Sequence, residues 1–228
     1  MLKLNILKPS VNNMTVRVFL RAAGLDFTEA DVYGDTRSSE FLAKCPAHLT
    51  PMLETADLPK SVMWESCAIM QYLCNRHGLI QFYPTDPARR AMVDSAMFYL
   101  IGTLYPLVAR ATYPALGFPL YPGEVGASDA DDGRKEAARK AAELAVAEPL
   151  EVFRTFFIAK GPFIAGAKPS IADIRLACTL EFLPVIDYAM PAWARAYMAA
   201  VESALGDAYR EPAADVRGYI QHVRPQRK

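Results

Sequence analysis

The chain has 228 residues, enough for one large domain or two small ones, and its hydrophobic (52%) and charged (22%) fractions are those of an ordinary globular protein. Its 25 Lys and Arg residues balance its 25 Asp and Glu residues, so no net positive field attracts polyanions. We therefore expect a protein that binds neither nucleic acid nor an anionic membrane surface.

The sequence carries no pattern typical of export or membrane insertion. Met1–Leu7 is too short for a signal peptide and is interrupted by Lys3 and Asn5, and no apolar run is expected to reach transmembrane length. The four cysteines are Cys45, Cys67, Cys74 and Cys178. They show no Cys-x-x-Cys spacing and no clustered histidines, which predicts reduced thiols, no metal site and a cytoplasmic location.

The first forty-five residues predict alternating strands and helices. Alternation of apolar and polar residues indicates a strand over Leu2–Leu7. After a turn, helical spacing of apolar residues predicts a helix over Val16–Ala23 that ends at Gly24. A second strand over Phe27–Val32 and a short helix over Ser38–Lys44 complete a unit in which the two strands are expected to be parallel.

A proline-rich stretch follows and leads into another helix. The predicted elements are a strand over Pro51–Leu53, a strand over Ser61–Trp64 and a helix over Ala68–Arg76. A trans proline would interrupt strand pairing, so we predict a cis bond between Thr50 and Pro51. Glu65 and Ser66 stand at a helix start, where unpaired N–H groups and the helix dipole favour a carboxylate ligand.

After a linker at residues 81–87, the sequence gives only helical signals. The predicted elements are long helices over Ala88–Thr112 and Arg134–Ala159, a mobile Gly- and Pro-rich excursion over 113–133, helices over Ile171–Phe182 and Ala192–Leu205, and a polar tail from Asp207. Pro106 is expected to kink the first long helix or to be absorbed by a local bend. Ser170 and Asp173 form a capping box.

The order β-α-β-α-β-β-α followed by helices predicts an α+β protein. The first part has the thioredoxin-like arrangement. We place the domains at residues 1–80 and 87–228.

Two motifs in the first part carry a resemblance to a known family. Cys45–Pro51 and Trp64–Ile69 resemble the patterns Asn-Pro-x-His-x-(hydrophobic)-Pro and Trp-Glu-Ser-x-Ala-Ile of cytosolic glutathione S-transferases, especially theta- and delta-like and bacterial ones. Cys45 replaces Asn and Thr50 replaces Val or Ile. The Ser170–Asp173 box is similar to one that serves folding in the second domain of that family. The resemblance implies a thioredoxin-like glutathione-binding domain and a helical domain that forms the hydrophobic substrate pocket.

The resemblance implies a hydroxyl that activates the thiol of glutathione. Ser10 falls on the position of the activating Ser in theta- and delta-like enzymes. Related bacterial enzymes use an Asn two residues further on, which makes Asn12 the alternative. Without the resemblance, Ser10 also fits a helix N-cap, although Asn13 is the more typical cap here.

The resemblance also implies the residues that hold glutathione. Glu65 and Ser66 would hold the γ-glutamyl end, His48 would lie near the glycine end, and the Thr50 backbone before Pro51 would pair with the cysteinyl backbone. The alternatives are a simple helix cap at Glu65 and Ser66 and a solvated loop histidine at position 48.

A row of aromatic residues is the candidate wall of the electrophile pocket. Its members are Phe98, Tyr105, Tyr113 and Phe118. Rows at helical spacing also serve as core. The chain departs from delta-like enzymes at Cys67, where they have Arg, and at Leu100, where they have Asp. Cys67 is either a packing residue or a redox thiol at a helix start.

These features predict an enzyme, a glutathione transferase that adds the thiol to a small hydrophobic electrophile. Glutathione is the co-substrate, no metal or nucleotide is implied, and the family analogy implies a homodimer with a role in detoxification. Two alternatives remain at this stage. One is a non-catalytic binding or scaffold protein of the same fold, and the other is a specialised glutathione-dependent isomerase, lyase or dehalogenase.

Overall fold

A four-stranded mixed sheet organises the first part of the chain. The computed structural model describes residues 1–118, 131–158 and 161–224. The strands are β1 (Leu2–Ile6), β2 (Phe27–Asp31), β3 (Met52–Glu54) and β4 (Val62–Trp64). They lie in the order β2-β1-β3-β4, with β1 and β2 parallel and the other two pairs antiparallel. The predicted thioredoxin-like order is confirmed.

The helices of this part pack on the sheet through the apolar faces that the sequence predicted. They are α1 (Val11–Ala22), α2 (Ser39–Lys44) and α3 (Ser66–His77). Leu4 and Ile6 of the interior strand β1 are fully buried against Phe19 and Leu20 of α1. Burial of such side chains stabilises the fold by about 1.5–3 kcal/mol each.

The second part is helical, as predicted. It contains α4 (Pro87–Tyr99), α5 (Tyr105–Leu116), α6 (Asp132–Ala145), α7 (Ala147–Val152), α8 (Ile171–Leu180), α9 (Ala192–Leu205) and α10 (Asp207–Val223). A 3₁₀ turn covers Leu183–Ile186, and π-helical segments cover Leu100–Leu104 and Phe153–Phe157. The second predicted long helix is broken at Val146, between α6 and α7. Most of the predicted 113–133 excursion lies outside the described residues.

The π-helical segment at Leu100–Leu104 absorbs Pro106. Proline has no N–H to donate within an α-helix. In the residue before Pro106, the Tyr105 N–H donates to the Leu100 carbonyl, which is the hydrogen bond of a π-helix. The helical stretch Pro87–Leu116 is therefore continuous over 30 residues, and it is long and apolar enough to meet the criteria for a membrane span. This corrects the expectation that no run reaches that length. In the fold the stretch supplies core residues, including Met97, Leu104 and Val108.

The predicted polar tail is wrong, because residues 207–223 form α10. Tyr209, Ala213, Val216 and Ile220 follow helical spacing and are buried. The face packs on α1, which places the end of the chain against the first part of the molecule.

Arg17 joins the two parts of the protein by ion pairs. Its guanidinium contacts Glu29 of β2 at 3.0 Å and Asp215 of α10 at 2.8 Å. Arg21 contacts Glu29 as well, at 2.7 Å. Burial opposes ionisation of Glu29, but hydrogen bonds from both arginines outweigh it and hold the pKa of the carboxyl below its usual value of 4.5.

Candidate functional site

A short loop connects strand β1 to α1, and Ser10 in this loop is the N-cap residue of α1. Ser10 is half-buried, and its side chain makes no capping hydrogen bond to the described backbone of α1. The expectation that Asn13 caps this helix is wrong, because Asn13 lies inside the first turn. There it is fully buried and donates from Nδ2 to Thr50 Oγ1 at 3.1 Å. This contact ties the start of α1 to the loop before β3.

That loop contains the predicted cis bond between Thr50 and Pro51. Pro51 is buried, Thr50 is half-buried, and β3 begins at the next residue. His48 is half-buried with a φ of 47°. The loop and the start of α1 therefore lie side by side, joined by the contact between Asn13 and Thr50.

The pair Glu65 and Ser66 stands at the start of α3. Glu65 is the N-cap residue, it is exposed, and its φ of 76° is uncommon for a residue with a side chain. Ser66 is the first helical residue and is buried. Glu65 makes no capping bond to the described backbone of α3. The starts of α1 and α3 thus both leave main-chain N–H groups to be satisfied by something else.

Side chains from both parts of the molecule converge on Asn12. Its Nδ2 donates to the Tyr105 hydroxyl at 2.7 Å, and its Oδ1 accepts from Arg175 Nη2 at 2.6 Å. The Tyr105 hydroxyl is also 2.6 Å from the Tyr113 hydroxyl. The structure thereby brings together three of the predicted residues and adds Arg175, which the sequence analysis missed.

Phe118 extends this group, whereas Phe98 does not. The ring of Phe118 lies 5.4 Å from Tyr113, 6.0 Å from Phe182 and 5.7 Å from Tyr219, between ring centroids. Such edge and stacked contacts are typical of an aromatic cluster. Phe98 is 63% exposed on α4, outside the core cluster. The predicted row is therefore split between an interior wall and the protein surface.

The two positions that depart from delta-like enzymes are both buried. Leu100 is fully buried in the core. Burial raises the pKa of the Cys67 thiol, and the nearby Arg175 only partly offsets that rise. A thiol held in its protonated form is a poor nucleophile, so this environment favours packing over redox chemistry at Cys67.

A separate groove of about 490 Å³ lies beside α2 and β4. Its lining residues are Ala43, Lys44, Pro46, Lys60, Val62, Met63 and Trp64. None of the predicted site residues is among them. Within the residues that the structure describes, no three His, Cys, Asp or Glu side chains are arranged to hold a metal ion.

Comparison with known proteins assigns the chain to a family. A family model described as the N-terminal domain of glutathione S-transferase matches residues 2–75, and one described as its C-terminal domain matches residues 136–222. The chain belongs to the glutathione S-transferase family. The two models cover the sheet with the starts of α1 and α3, and the helices from α6 to α10.

Curated relatives agree with this assignment. Glutathione S-transferase 2 of Anopheles gambiae is 33% identical over 159 residues, which are 66% of each chain. Glutathione S-transferase D7 of Drosophila melanogaster is 28% identical over 73% of this chain and 67% of its own. Glutathione S-transferase 1 of Manduca sexta is 30% identical, and the match spans 52% of that protein.

Solved structures support the fold. A housefly epsilon-class glutathione S-transferase superposes with a TM-score of 0.79 at 24% identity, covering 100% of this chain and 99% of its own. The apo form of human glutathione S-transferase T1-1 gives 0.78 at 21% identity, covering 99% and 91%. The two-part architecture of this glutathione S-transferase is thus that of solved members of the family.

Proposed function

We propose that this protein is an enzyme that activates the thiol of glutathione and adds it to a small hydrophobic electrophile, by conjugation or by halide displacement. The observation that carries the proposal is the pair of helix starts, α1 and α3, that lack side-chain caps and flank the loop with the cis proline. Together they offer N–H groups and positive dipole ends to an anionic tripeptide. Family membership supports the same conclusion.

Ser10 is the proposed thiol-activating residue. A free thiol has a pKa near 8.5, and lowering it by about two units requires about 2.7 kcal/mol of preferential stabilisation of the anion. A hydroxyl hydrogen bond together with a helix start is of that size. The side chain of Asn12 is already held by Arg175 and Tyr105. This favours Ser10 over Asn12 as the group that contacts sulfur.

The remaining roles are proposed from the family resemblance. Ser66 and Glu65 would bind the γ-glutamyl end, the Thr50 backbone before Pro51 would pair with the cysteinyl unit, and His48 would lie near the glycine carboxylate. In support, a glutathione transferase homologue from Sulfitobacter with the same fold was solved with bound glutathione, at 18% identity and a TM-score of 0.73.

The electrophile would bind in the helical part. We assign its wall to Tyr105, Tyr113 and Phe118, and we leave Phe98 outside it because of its exposure. The proposed division of labour is glutathione binding by residues 1–80 and electrophile binding by 87–228.

We further propose a cytoplasmic homodimer that acts in detoxification. Four unpaired, buried cysteines suit a reducing compartment. Exposed apolar side chains such as Leu49 (43%) and Phe98 (63%) suit a subunit interface.

The test is Ser10→Ala, assayed with glutathione and an aryl halide. We expect kcat/KM to fall about 100-fold, since about two pKa units of thiol activation are lost, while glutathione affinity changes by less than about threefold. The matched control is Ser38→Ala. Ser38 is a true N-cap that accepts from Phe41 N–H at 3.2 Å in α2, and its loss should cost about 1 kcal/mol of stability without changing activity.

Two outcomes would change the assignment. Full activity in Ser10→Ala would move the activating role to Asn12, with Asn12→Ala as the deciding variant. Absence of calorimetric binding at millimolar glutathione would replace the enzyme by a non-catalytic binding protein of the same fold.

A further inference from the structure

Arg175 is a buried cation in the middle of α8, a helix whose ten residues are all buried. It is 2% exposed and bonds to two neutral side-chain oxygens, Asn12 Oδ1 at 2.6 Å and Thr179 Oγ1 at 2.7 Å. Its guanidinium carbon lies 4.7 Å from the centre of the Tyr105 ring. Its Nε is buried and has no partner among residues 1–118, 131–158 and 161–224.

No carboxylate in the described part of the chain forms an ion pair with Arg175. Two other arginines that bridge elements show the contrast. Arg17 contacts the carboxylates of Glu29 and Asp215, and Arg217 contacts those of Glu181 and Glu202. A buried guanidinium without an opposing charge is costly unless a partner compensates it. We look for that partner outside the chain.

The titratable groups around Arg175 leave its charge uncompensated. Cys67, Cys178 and Tyr105 lie near Arg175. Glu65 lies near Cys67, and Glu181 lies near Cys178. Burial raises the pKa of Cys67, and it raises that of Cys178 to about 12, so both thiols are neutral at neutral pH. Glu65 is exposed to solvent.

Carboxylates of the surrounding helices have other partners. Asp94 accepts hydrogen bonds from Gln71 and Tyr83, and Asp173 accepts them from Ser170 and Tyr197. Glu181 accepts hydrogen bonds from Tyr209 and Arg217. Asp215 accepts one from Arg17. Arg175 contacts Asn12 in the first turn of α1 and interacts with Cys67 in the first turn of α3. Its positive charge therefore lies next to the starts of both helices.

We propose that Arg175 is a positioning residue for the glutathione thiolate. Arg175 holds the Asn12 amide, and its positive charge favours the thiolate over the protonated thiol. The proposal rests on the proposed function. Arginine has only donors, so the atom of Asn12 that it contacts must be Oδ1, and Nδ2 must face Tyr105. The amide is thereby fixed in one orientation two residues from Ser10. The positive charge of Arg175, which belongs to the helical part, adds to the positive end of the α1 dipole in the first part.

The test compares Arg175→Met with wild type in the full-length protein with bound glutathione. The ultraviolet absorbance of the thiolate and kcat/KM for an aryl halide are both followed against pH. Loss of the cation next to the two helix starts should raise the pKa of the bound thiol by about one unit. At about pH 6.5, kcat/KM should fall about tenfold and approach wild type at high pH, while KM for glutathione changes less than about threefold.

Two further variants separate charge from structure. Arg175→Lys keeps a charge and should restore most of the wild-type profile. Arg217→Met removes another arginine of the helical part, and the pH profile should stay that of wild type even if the melting temperature drops. If Arg175→Met does not fold, Arg175→Gln takes its place, because it keeps a donor for Asn12 without a charge. Arg175→Gln is expected to raise the pKa of the bound thiol by the same amount of about one unit.

The outcomes are distinct for the two proposals. An unchanged thiol pKa in the folded neutral variant overturns the role of Arg175 and leaves the proposed function intact. Failure of the wild type to bind glutathione overturns both.

Discussion

The start of α8 and the start of α1 differ in what satisfies the helix. At α8, the Asp173 carboxylate accepts from the backbone N–H groups of Ser170 and Ile164 and from the hydroxyls of Ser170 and Tyr197, at 2.6–2.9 Å. At α1, the side chain of Ser10 makes no capping bond to the described helix backbone, although serine is a good capping residue.

This difference in capping indicates that the start of α8 serves folding, whereas we propose that the start of α1 serves binding. A helix start that is closed by its own buried carboxylate has no capacity left for a ligand, and its role is to fix α8 and α9 together. In the proposed function, the open start of α1 and the second open start, at α3, keep their N–H groups for glutathione. Substitutions at the two starts should therefore affect different properties.

The largest effect is expected from Asp173→Ala. It leaves two buried N–H groups and the buried Tyr197 hydroxyl unpaired, so the free energy of unfolding should fall by about 3 kcal/mol or more. Urea unfolding measures it. The control is Asp86→Ala, an exposed cap that accepts from Arg89 N–H at 2.8 Å, with an expected loss of about 1 kcal/mol. Equal losses in the two variants would contradict the view that Asp173 closes a buried site.

A middle-sized effect is expected away from the helix starts, at Glu29. Its carboxyl has a lowered pKa in the folded protein, so its contribution to stability is complete above about pH 4.5 and is lost as the pH falls through the folded-state pKa. Glu29→Gln should be less stable than wild type by about 1–2 kcal/mol at neutral pH. The gap should close as the pH falls below 4.5, as measured by thermal melting across the pH range. A gap independent of pH would rule out the ion pairs as its cause.

The smallest effect is expected from Thr50→Val at the open start. It removes the bond from Asn13 to Thr50 but leaves the main chain of the loop, so stability should fall by about 1 kcal/mol. Because the proposed contact with glutathione is through the backbone, KM for glutathione should change less than about threefold. A large rise in KM in steady-state assays would show that the hydroxyl itself binds the ligand.

Local sequence signals were sufficient for much of the fold. β1, the Ser170–Asp173 box and α9 follow from alternation, capping chemistry and helical spacing, and the proline at the entry to a strand predicted the cis bond before Pro51. Each of these signals lies within a few consecutive residues, which is why a single sequence reveals them.

The remainder depends on contacts between distant residues. α10 was missed because its apolar positions are sparse and Pro212 interrupts the pattern, and its stability comes from packing on α1. Arg175 was missed because its partner Asn12 is 163 residues away. The available signal was a single arginine in the middle of a mostly apolar helix, since such a charge must find polar partners inside the fold.

The π-helical segment Leu100–Leu104 determines which side of the long helix each later side chain lies on. Each residue turns an α-helix by about 100°, so the extra residue accommodated by a wider turn rotates the downstream face by about that angle. With that rotation, the Tyr105 hydroxyl reaches Asn12 at the start of α1, and the Tyr113 hydroxyl reaches that of Tyr105. Deleting one residue there would straighten the ladder yet swing both phenols aside. The contact between Tyr105 and Asn12 thus depends on the number of residues in this segment as much as on their chemistry.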